Sequence, residues 1–400
     1  MPTGGFSTAR LRRMHDVMAG HVERGSLPGL VTLVSRRGEV HLDEIGTKAA
    51  SGGDPMRRDT IVRIDSLTKP IAATAAMILV EESRLRLDDP VDHWLPELAN
   101  RQVLRAIDRQ LDDTVPAHRP ITLRDLLTFR LGFGIVMAPP DTYPIQRAVR
   151  ELEIMGTGPP KPATPHDPDE WLRRFATLPL MHQPGERWLY NSGFQVLGVL
   201  IARAAGQPLE TFLRHRLFEP LGMTDTGFSL SREKLERLAP CYETDAESGA
   251  LTLHDGVSDS QWSQPPAFPN AAAGLVSTAD DLLAFGRMML NQGTFGTERI
   301  LSRPAVTLMT TDQITPAQMA VSDFFPGFWD NRGWGFGLSV ITRRDDLAMT
   351  PGRYGWDGGY GTSWYVDPAE DLIGILLAQC LGAPTINADF WTATYQAIAD

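Results

Sequence analysis

Cysteines and metal-binding patterns are scarce in this sequence. Only Cys241 and Cys380 are present, too few and too far apart in sequence to form a disulfide framework. No Cys/His spacing is typical of a zinc site, and the scattered histidines do not form an H-E-x-x-H pattern. We therefore expect neither a disulfide scaffold nor a metal ion.

Long hydrophobic runs are also absent. The longest mainly apolar run, residues 71–80, is too short to cross a bilayer. Residues 1–13 carry basic side chains without the apolar stretch of a secretory signal. These observations predict a cytoplasmic protein that has no membrane partner.

Positive charge is in deficit. The 400 residues contain 38 Lys and Arg against 49 Asp and Glu, which gives a net charge of -11. No basic cluster interleaved with aromatic residues offsets this deficit, so we expect no nucleic-acid partner. With 42% apolar and 22% charged residues, the composition is that of a soluble globular protein, and the length predicts one large or two interlocked domains.

The hydrophobic pattern predicts strands at both ends of the chain and helices between them. Apolar or alternating runs predict strands at residues 30–35, 40–45, 337–342, 362–366 and 372–378. Helical spacing predicts helices at residues 10–24, 69–82, 123–128, 193–205, 209–216, 279–291 and 388–398. The expected fold class is α/β (α+β): residues 1–62 and 265–400 form a mixed domain built from both termini, and residues 63–264 form a mostly helical domain.

Two segments fall outside this pattern. Residues 139–168 contain eight prolines and little periodicity, which indicates either a lid or binding loop or a disordered excursion. Residues 319–336 contain six aromatic side chains, which either line an apolar pocket or pack in the core.

The Ser-x-x-Lys segment that starts at Ser66 is the first that could carry chemistry. A serine hydroxyl becomes nucleophilic when a neighbouring group takes its proton. If a helix begins near Ser66, Lys69 lies one turn further on the same face, and the apolar helix that follows would bury it and lower its pKa. A second match, from Ser231 to Lys234, lies in a polar context typical of a helix N-cap with the lysine in solvent.

Two further segments could complete a site. Tyr190 precedes a predicted helix together with Asn191 and Ser192, and a tyrosine beside an ammonium group can act as a base. Alone, such a tyrosine is more often a half-buried aromatic residue with a hydrogen bond than a catalytic base. Residues 355–362 place four glycines before a predicted strand, where a backbone N–H could donate to an oxyanion. Alone, this segment is equally a tight turn.

In this order, the three segments resemble the motifs Ser-x-x-Lys, Tyr-x-Asn and Lys-Thr-Gly of the serine β-lactamase and penicillin-binding-protein superfamily. The similarity runs from about residue 30 to residue 379. Within the superfamily, the sequence is most similar to class C β-lactamase-like hydrolases, including the family VIII carboxylesterases. The resemblance implies an antiparallel sheet flanked by helices, an all-helical domain, an active site between the two, and no metal or organic cofactor.

The resemblance also implies a role for each site residue. Ser66 would be the nucleophile that forms an acyl-enzyme, and Lys69 would share its proton. Tyr190 would be the general base in acylation and would activate water in deacylation. The backbone N–H groups of Ser66 and Gly359 would form the oxyanion hole. Residues of the second and third motifs would bind the substrate: Asn191, Ser192, Trp356, Asp357 and Gly358.

The second motif departs from the superfamily pattern by one residue. The asparagine expected two positions after Tyr190 comes one position early, and Ser192 occupies its place. Either Asn191 or Ser192 would therefore face the substrate.

The third motif departs at Trp356, where β-lactamases have a lysine that attracts the substrate carboxylate. An uncharged indole, in the Trp-x-Gly form of the family VIII esterases, predicts hydrolysis of neutral short- to medium-chain esters. A nearby arginine, Arg63, Arg332 or Arg353, could instead restore the charge. The alternatives are therefore a β-lactamase or D-amino-acid peptidase, an acyltransferase using the same acyl-enzyme, and a non-catalytic binding protein. The α/β-hydrolase class is excluded because no Gly-x-Ser-x-Gly elbow occurs.

Overall fold

The computed structural model describes residues 4–155, 162–245, 247–322, 324–382 and 385–400. In chain order, its strands are β1 (Gly29–Arg36), β2 (Glu39–Gly46), β3 (Val62–Arg63), β4 (Gln102–Leu104), β5 (Thr114–Pro116), β6 (Cys241–Thr244), β7 (Leu251–Asp255), β8 (Val276–Ser277), β9 (Thr294–Phe295), β10 (Glu298–Arg299), β11 (Arg332–Trp334), β12 (Ser339–Ile341), β13 (Tyr354–Gly358), β14 (Thr362–Asp367), β15 (Leu372–Ala378) and β16 (Cys380–Leu381). Seven of them form one sheet in the order β11-β12-β13-β14-β15-β1-β2. Every neighbouring pair in this sheet is antiparallel.

The α-helices are α1 (Thr8–Glu23), α2 (Thr68–Glu81), α3 (Leu123–Leu127), α4 (Pro144–Glu151), α5 (Pro168–Ala176), α6 (Ser192–Ala205), α7 (Leu209–Leu213), α8 (Glu219–Leu221), α9 (Arg232–Leu235), α10 (Ala279–Leu290), α11 (Arg303–Met309), α12 (Pro316–Met319) and α13 (Ile386–Gln396). Within the described ranges, no single helix is long and apolar enough to cross a membrane. Two consecutive helical stretches, Ser192–Ala205 and Leu209–Leu221, are together long and apolar enough to do so, but the chain bends by 75° between them.

The hairpin of β1 and β2 follows from its turn and its apolar residues. Arg37 and Gly38 both have positive φ, 50° and 81°, as a two-residue turn of type I′ requires. Alternate residues of β1 enter two different cores: Leu30 contributes to one and Val31 to the other. Since β1 is buried throughout, its continuous apolar run is that of a strand covered on both faces.

Helices cover both faces of the sheet. Helices α1 and α13 contact each other and β2 and β15 on one face, and α10 contacts β1, β14 and β15. Helices α2, α3 and α6 pack together in the larger of the two cores. The predicted fold class is confirmed by this antiparallel sheet with helices, which joins strands from both termini. The division at residues 62 and 265 stays a prediction.

Several predicted elements differ from those observed. The strand expected at 372–378 coincides with β15, whereas β13 lies in the glycine-rich segment, where no strand was predicted. Glycine has low strand propensity, but cross-strand pairing of Trp356 with Trp364 extends the sheet through this segment. The segment expected to be a helix at 209–216 is α-helical only over α7. From there the chain continues as a π-helical turn, Arg214–Phe218. Lys234 was expected in solvent; its side chain is 35% exposed, and its ammonium group pairs with Asp225 at 3.0 Å.

The proline-rich segment 139–168 is partly helical. Proline occupies the first turn of α4 and of α5, where its missing N–H costs no hydrogen bond. The Tyr143 N–H donates to the Gln146 side chain at 2.9 Å and so caps α4. Residues 156–161 lie outside the described part of the chain.

Candidate active site

The Ser66 side chain stands at a tight turn between sheet and helix. Strand β3 leads into the 3-10 turn Asp65–Leu67, and α2 begins directly afterwards. Lys69 and Pro70 therefore lie in the first turn of α2, where proline is tolerated. The helix that follows is buried almost throughout, which fixes this turn against the core.

Lys69 is close enough to Ser66 to exchange a proton with it. Its Nζ donates to Ser66 Oγ at 2.9 Å and to the carbonyl oxygen of Ala272 at 2.7 Å. The Ala272 N–H in turn donates to the side-chain oxygen of Asn270 at 2.9 Å, which holds this loop in place. Burial lowers the pKa of Lys69 from 10.5 to about 7, against the opposing influence of the Asp65 charge. At neutral pH a large share of Lys69 is therefore an uncharged amine.

The Tyr190 hydroxyl is a second group in contact with Ser66. Its oxygen is hydrogen-bonded to Ser66 and accepts the indole N–H of Trp356 at 2.6 Å. The Lys69 ammonium group lies 4.4 Å from the centre of the Tyr190 ring. Burial raises the pKa of Tyr190 above 10, although the bonds from Ser66 and Trp356 act in the opposite direction. Tyr190 is therefore a neutral phenol at rest, and Lys69 is the readier proton acceptor.

Trp356 is held in an aromatic cluster that fixes its indole. Its ring centre lies 4.6 Å from that of Trp334, in an edge-to-face contact, and 5.7 Å from that of Tyr190, in a tilted contact. The side chain is buried, and its N–H points at the Tyr190 oxygen. Where the superfamily lysine would face a substrate carboxylate, this residue supports the tyrosine instead.

Replacing Trp356 by phenylalanine is expected to lower kcat for p-nitrophenyl butyrate by roughly tenfold, because Tyr190 loses a buried hydrogen-bond donor. Trp364→Phe is the matched control. Trp364 is the cross-strand partner of Trp356, and its indole N–H has no partner among the described residues. An equal loss of kcat in both variants would show that aromatic packing, and not the hydrogen bond, is what matters.

The structure separates Asn191 from Ser192. Asn191 has φ of 85° and lines the cavity in front of Ser66. Ser192 is buried as the first residue of α6, with its hydroxyl 3.9 Å from the sulfur of Met155. Asn191 is thus the one of the pair placed to meet a ligand.

The glycine-rich strand end lies against the turn that carries Ser66. A Cβ atom at Gly358 would lie 2.6 Å from the carbonyl oxygen of Ile64, so glycine is required for this approach. The next residue, Gly359, lines the cavity beside Ser66. Its N–H is not free: it donates to Oδ2 of Asp65 at 2.6 Å.

Asp357 also lines the cavity, with its carboxylate held from behind. Oδ1 accepts hydrogen bonds from Ser363 at 2.5 Å and Asn387 at 3.2 Å, and Oδ2 accepts one from Tyr365 at 3.2 Å. All three partners are uncharged, so this carboxylate adds negative charge to the site.

A cavity of about 780 Å³ opens in front of Ser66. Phe324 and Phe325 of the aromatic segment line it, whereas Trp334 and Phe336 of the same segment pack in the core. The aromatic segment 319–336 therefore does both things that were considered for it: part of it lines a pocket and part of it packs in the core. The proline-rich segment contributes a further part of the wall: Arg150, Glu153, Ile154, Met155, Pro162, Ala163, Thr164 and Pro165.

The three arginines considered as sources of charge have different surroundings. Arg63 is buried in an ion pair with Asp255. Arg353 is buried against aromatic rings, 3.9 Å from the centre of Trp391. Of the three, Arg332 is the one that lines the cavity, where its guanidinium lies over the ring of Phe328 at 5.4 Å.

Outside the proline-rich segment, sequence reasoning missed three polar residues of the cavity wall: Asp65, Gln195 and Asn270. Gln195 lies one helical turn beyond Asn191, and its side-chain oxygen is buried without a partner among the described residues. Its spacing from Asn191 on α6 was the available signal. Asp65 adjoins Ser66 but belongs to none of the three motifs. Asn270 lies in a loop whose position near Ser66 cannot be predicted from sequence patterns.

The Beta-lactamase family model matches residues 14–396, nearly the whole chain. The chain belongs to this family. Protein Rv1367c of Mycobacterium tuberculosis is 41% identical to it over 375 residues, which cover 92% of this chain and 89% of that protein. Esterase EstB of Burkholderia gladioli is 33% identical over 385 residues, covering 91% of this chain and 89% of EstB.

A solved structure agrees with the family assignment. EstCE1, described as a hydrolase with promiscuous acyltransferase activity, is 25% identical, with a TM-score of 0.77 over 96% of this chain and 98% of EstCE1. Membership of the Beta-lactamase family confirms the resemblance drawn from the three motifs, and with it a serine hydrolase.

Proposed function

We propose that this protein is a carboxylesterase that cleaves neutral short- to medium-chain esters through an acyl-enzyme on Ser66. The observation that carries the proposal is the hydrogen bond from the Trp356 indole to the Tyr190 oxygen. Through this bond Trp356, the first residue of the third motif, contacts Tyr190. At this position the motif therefore offers no cation to an anionic substrate.

Acylation starts with Lys69 in its uncharged form. Ser66 Oγ attacks the acyl carbon of the ester as its proton passes to Lys69 Nζ, which lies 2.9 Å away. The N–H groups of Ser66 and Gly359 donate to the oxyanion of the tetrahedral intermediate. The C–O bond to the alcohol then breaks, and Tyr190 relays the proton from Lys69 to the leaving oxygen.

Deacylation reverses these roles with water. Tyr190 passes its own proton to uncharged Lys69, which lies beside its ring, as it takes a proton from a water molecule that attacks the acyl carbon. The bond to Ser66 Oγ breaks, and the proton held by Lys69 returns to that oxygen. The carboxylic acid leaves, and the site regains its starting protonation.

The charges near Ser66 support a neutral substrate. The carboxylates of Asp65 and Asp357 line this part of the cavity, and Lys69 is buried behind Ser66. Two cations belong to the wall: Arg150 is paired with Asp141, and Arg332 lies over the ring of Phe328. EstB, at 33% identity, carries the name of an esterase.

A paired rate assay with p-nitrophenyl butyrate and nitrocefin tests this substrate class. We expect kcat/KM for the ester to exceed that for the lactam by about 100-fold or more, because Trp356 offers the lactam carboxylate no cation and the carboxylates of Asp65 and Asp357 line the cavity near Ser66. The opposite ratio would identify a β-lactamase in which Arg332 binds the substrate anion. Turnover of neither substrate would leave this proposal without support.

Acyl transfer to an alcohol is the second candidate. A cavity of about 780 Å³ exceeds what a short acyl chain fills, which leaves room for an acceptor, and the name of EstCE1 includes such an activity. Adding 1-butanol to the ester assay distinguishes the two: a transferase forms butyl butyrate as the main product, whereas an esterase forms butyrate.

A further inference from the structure

The carboxylate of Asp65 lies where a substrate oxygen is expected. Its Oδ2 accepts the Gly359 N–H at 2.6 Å and the Ser66 hydroxyl at 3.2 Å. In the proposed mechanism the same Gly359 N–H stabilises the oxyanion. A carboxylate oxygen and a substrate carbonyl oxygen therefore compete for one donor, and only one of them can be bound at a time.

Asp65 also competes for the proton of the nucleophile. Ser66 has a single hydroxyl hydrogen, and both Asp65 and Tyr190 are within hydrogen-bonding reach of it. A bond to Asp65 directs this hydrogen away from Tyr190 and from Lys69, which takes it in the proposed acylation. The arrangement seen in the structure is therefore a resting state that acylation must leave.

The backbone of Asp65 is suited to holding this position. Its φ is 46°, in the left-handed region that glycine adopts freely and that asparagine and aspartate tolerate better than most residues. The side chain is buried in the turn, but it borders the open cavity, into which it can rotate. The charged hydrogen bond to Gly359 thus has to break before a substrate binds productively.

We propose that Asp65 is a specificity-determining residue: its carboxylate occupies the oxyanion position at rest and selects neutral over anionic acyl donors. This inference rests on the proposed function of Ser66 and Gly359. A neutral ester displaces the carboxylate into the cavity at the cost of one hydrogen bond. An anionic donor meets the same displaced charge at close range, with Asp357 as a second negative charge on the wall.

The test compares two esters of equal chain length, p-nitrophenyl hexanoate and the anionic mono-p-nitrophenyl adipate. Asp65→Gly keeps the left-handed backbone and removes the carboxylate. We expect it to raise kcat/KM for the hexanoate about tenfold, because a charged hydrogen bond to Gly359 no longer has to break. For the adipate we expect a rise roughly tenfold larger still, because a repelling charge is also lost.

Asp65→Asn separates charge from occupancy. Its amide oxygen can still accept the Gly359 N–H, so the hexanoate should gain less than in Asp65→Gly, while the adipate-to-hexanoate ratio should rise in both. Asp371→Gly is the matched control, because Asp371 has φ of 48° in an exposed turn between β14 and β15. It should leave both rates within a factor of about two.

Three results would overturn the inference. A lower rate on the hexanoate in both Asp65 variants, with unchanged melting temperatures, would mean that Asp65 assists proton transfer from Ser66. Unchanged rates would mean that the Asp65 carboxylate does not obstruct the Gly359 N–H. An unchanged adipate-to-hexanoate ratio would refute its role in selecting neutral acyl donors. In each case an active wild type leaves the esterase proposal intact, whereas an inactive wild type would refute both.

Discussion

Ser66→Ala is expected to abolish ester hydrolysis while the protein stays folded. Because Ser66 Oγ alone can form the acyl-enzyme, kcat for p-nitrophenyl butyrate should fall by at least about 10⁴-fold. The alanine removes only hydroxyl contacts to Asp65, Lys69 and Tyr190, so the backbone turn has no reason to change. Steady-state kinetics and a thermal melt of the same sample measure both outcomes.

Ser231→Ala is the matched control, because it alters the other Ser-x-x-Lys segment. Ser231 precedes the short helix α9 and makes no side-chain capping bond within the described residues. Wild-type rates are expected. If Ser66→Ala kept more than a small fraction of wild-type kcat, or if Ser231→Ala lost activity equally, the nucleophile would have to be sought elsewhere.

Lys69→Met is expected to lower kcat/KM by about 10³-fold, because the group that accepts the Ser66 proton is replaced by an apolar chain of similar length. Lys69 is buried, so a methionine fits the same environment without an unpaired charge. Lys234→Met is the matched control at a lysine paired with Asp225 outside the cavity, and it should keep wild-type rates.

The pH profile of the wild type provides the second readout for Lys69. Burial lowers the Lys69 pKa to about 7, so the uncharged amine becomes the major form above this pH and not above its usual 10.5. Since the proposed reaction needs the uncharged amine, kcat/KM should rise with pH through about 7 and then level off. The residual activity of Lys69→Met should lack this rise. A wild-type profile that falls with pH across the same range would contradict the role of Lys69 as a base.

Much of the fold could be predicted because strong local patterns determine it. The β1–β2 hairpin and β15 combine apolar runs with clear turn residues, and they lie where they were expected. Strand β13 could not be predicted from its own sequence, because Gly358 allows close approach to the Ser66 turn and Gly355 allows close approach to β14. That requirement comes from tertiary contacts, which local propensity does not contain.

The candidate site shows the same division. Ser66, Lys69 and Tyr190 were expected from their motifs, and the structure brings the three together. Two hydrogen bonds were not expected: the one from the Trp356 indole to Tyr190 and the one from the Gly359 N–H to Asp65. Both depend on residues far apart in sequence that meet only in the folded chain, so spacing within a motif carries no information about them.

The most direct test of the account is to label the wild-type protein with a fluorophosphonate and locate the adduct by peptide mass spectrometry. The account predicts one phosphonyl group per chain, carried by Ser66, with labelling prevented by Ser66→Ala and unaffected by Ser231→Ala. It also predicts that butyrate esters slow the labelling, because they compete for the same oxygen. An adduct on any other residue, or a folded wild type that is not labelled, would contradict the acyl-enzyme on Ser66.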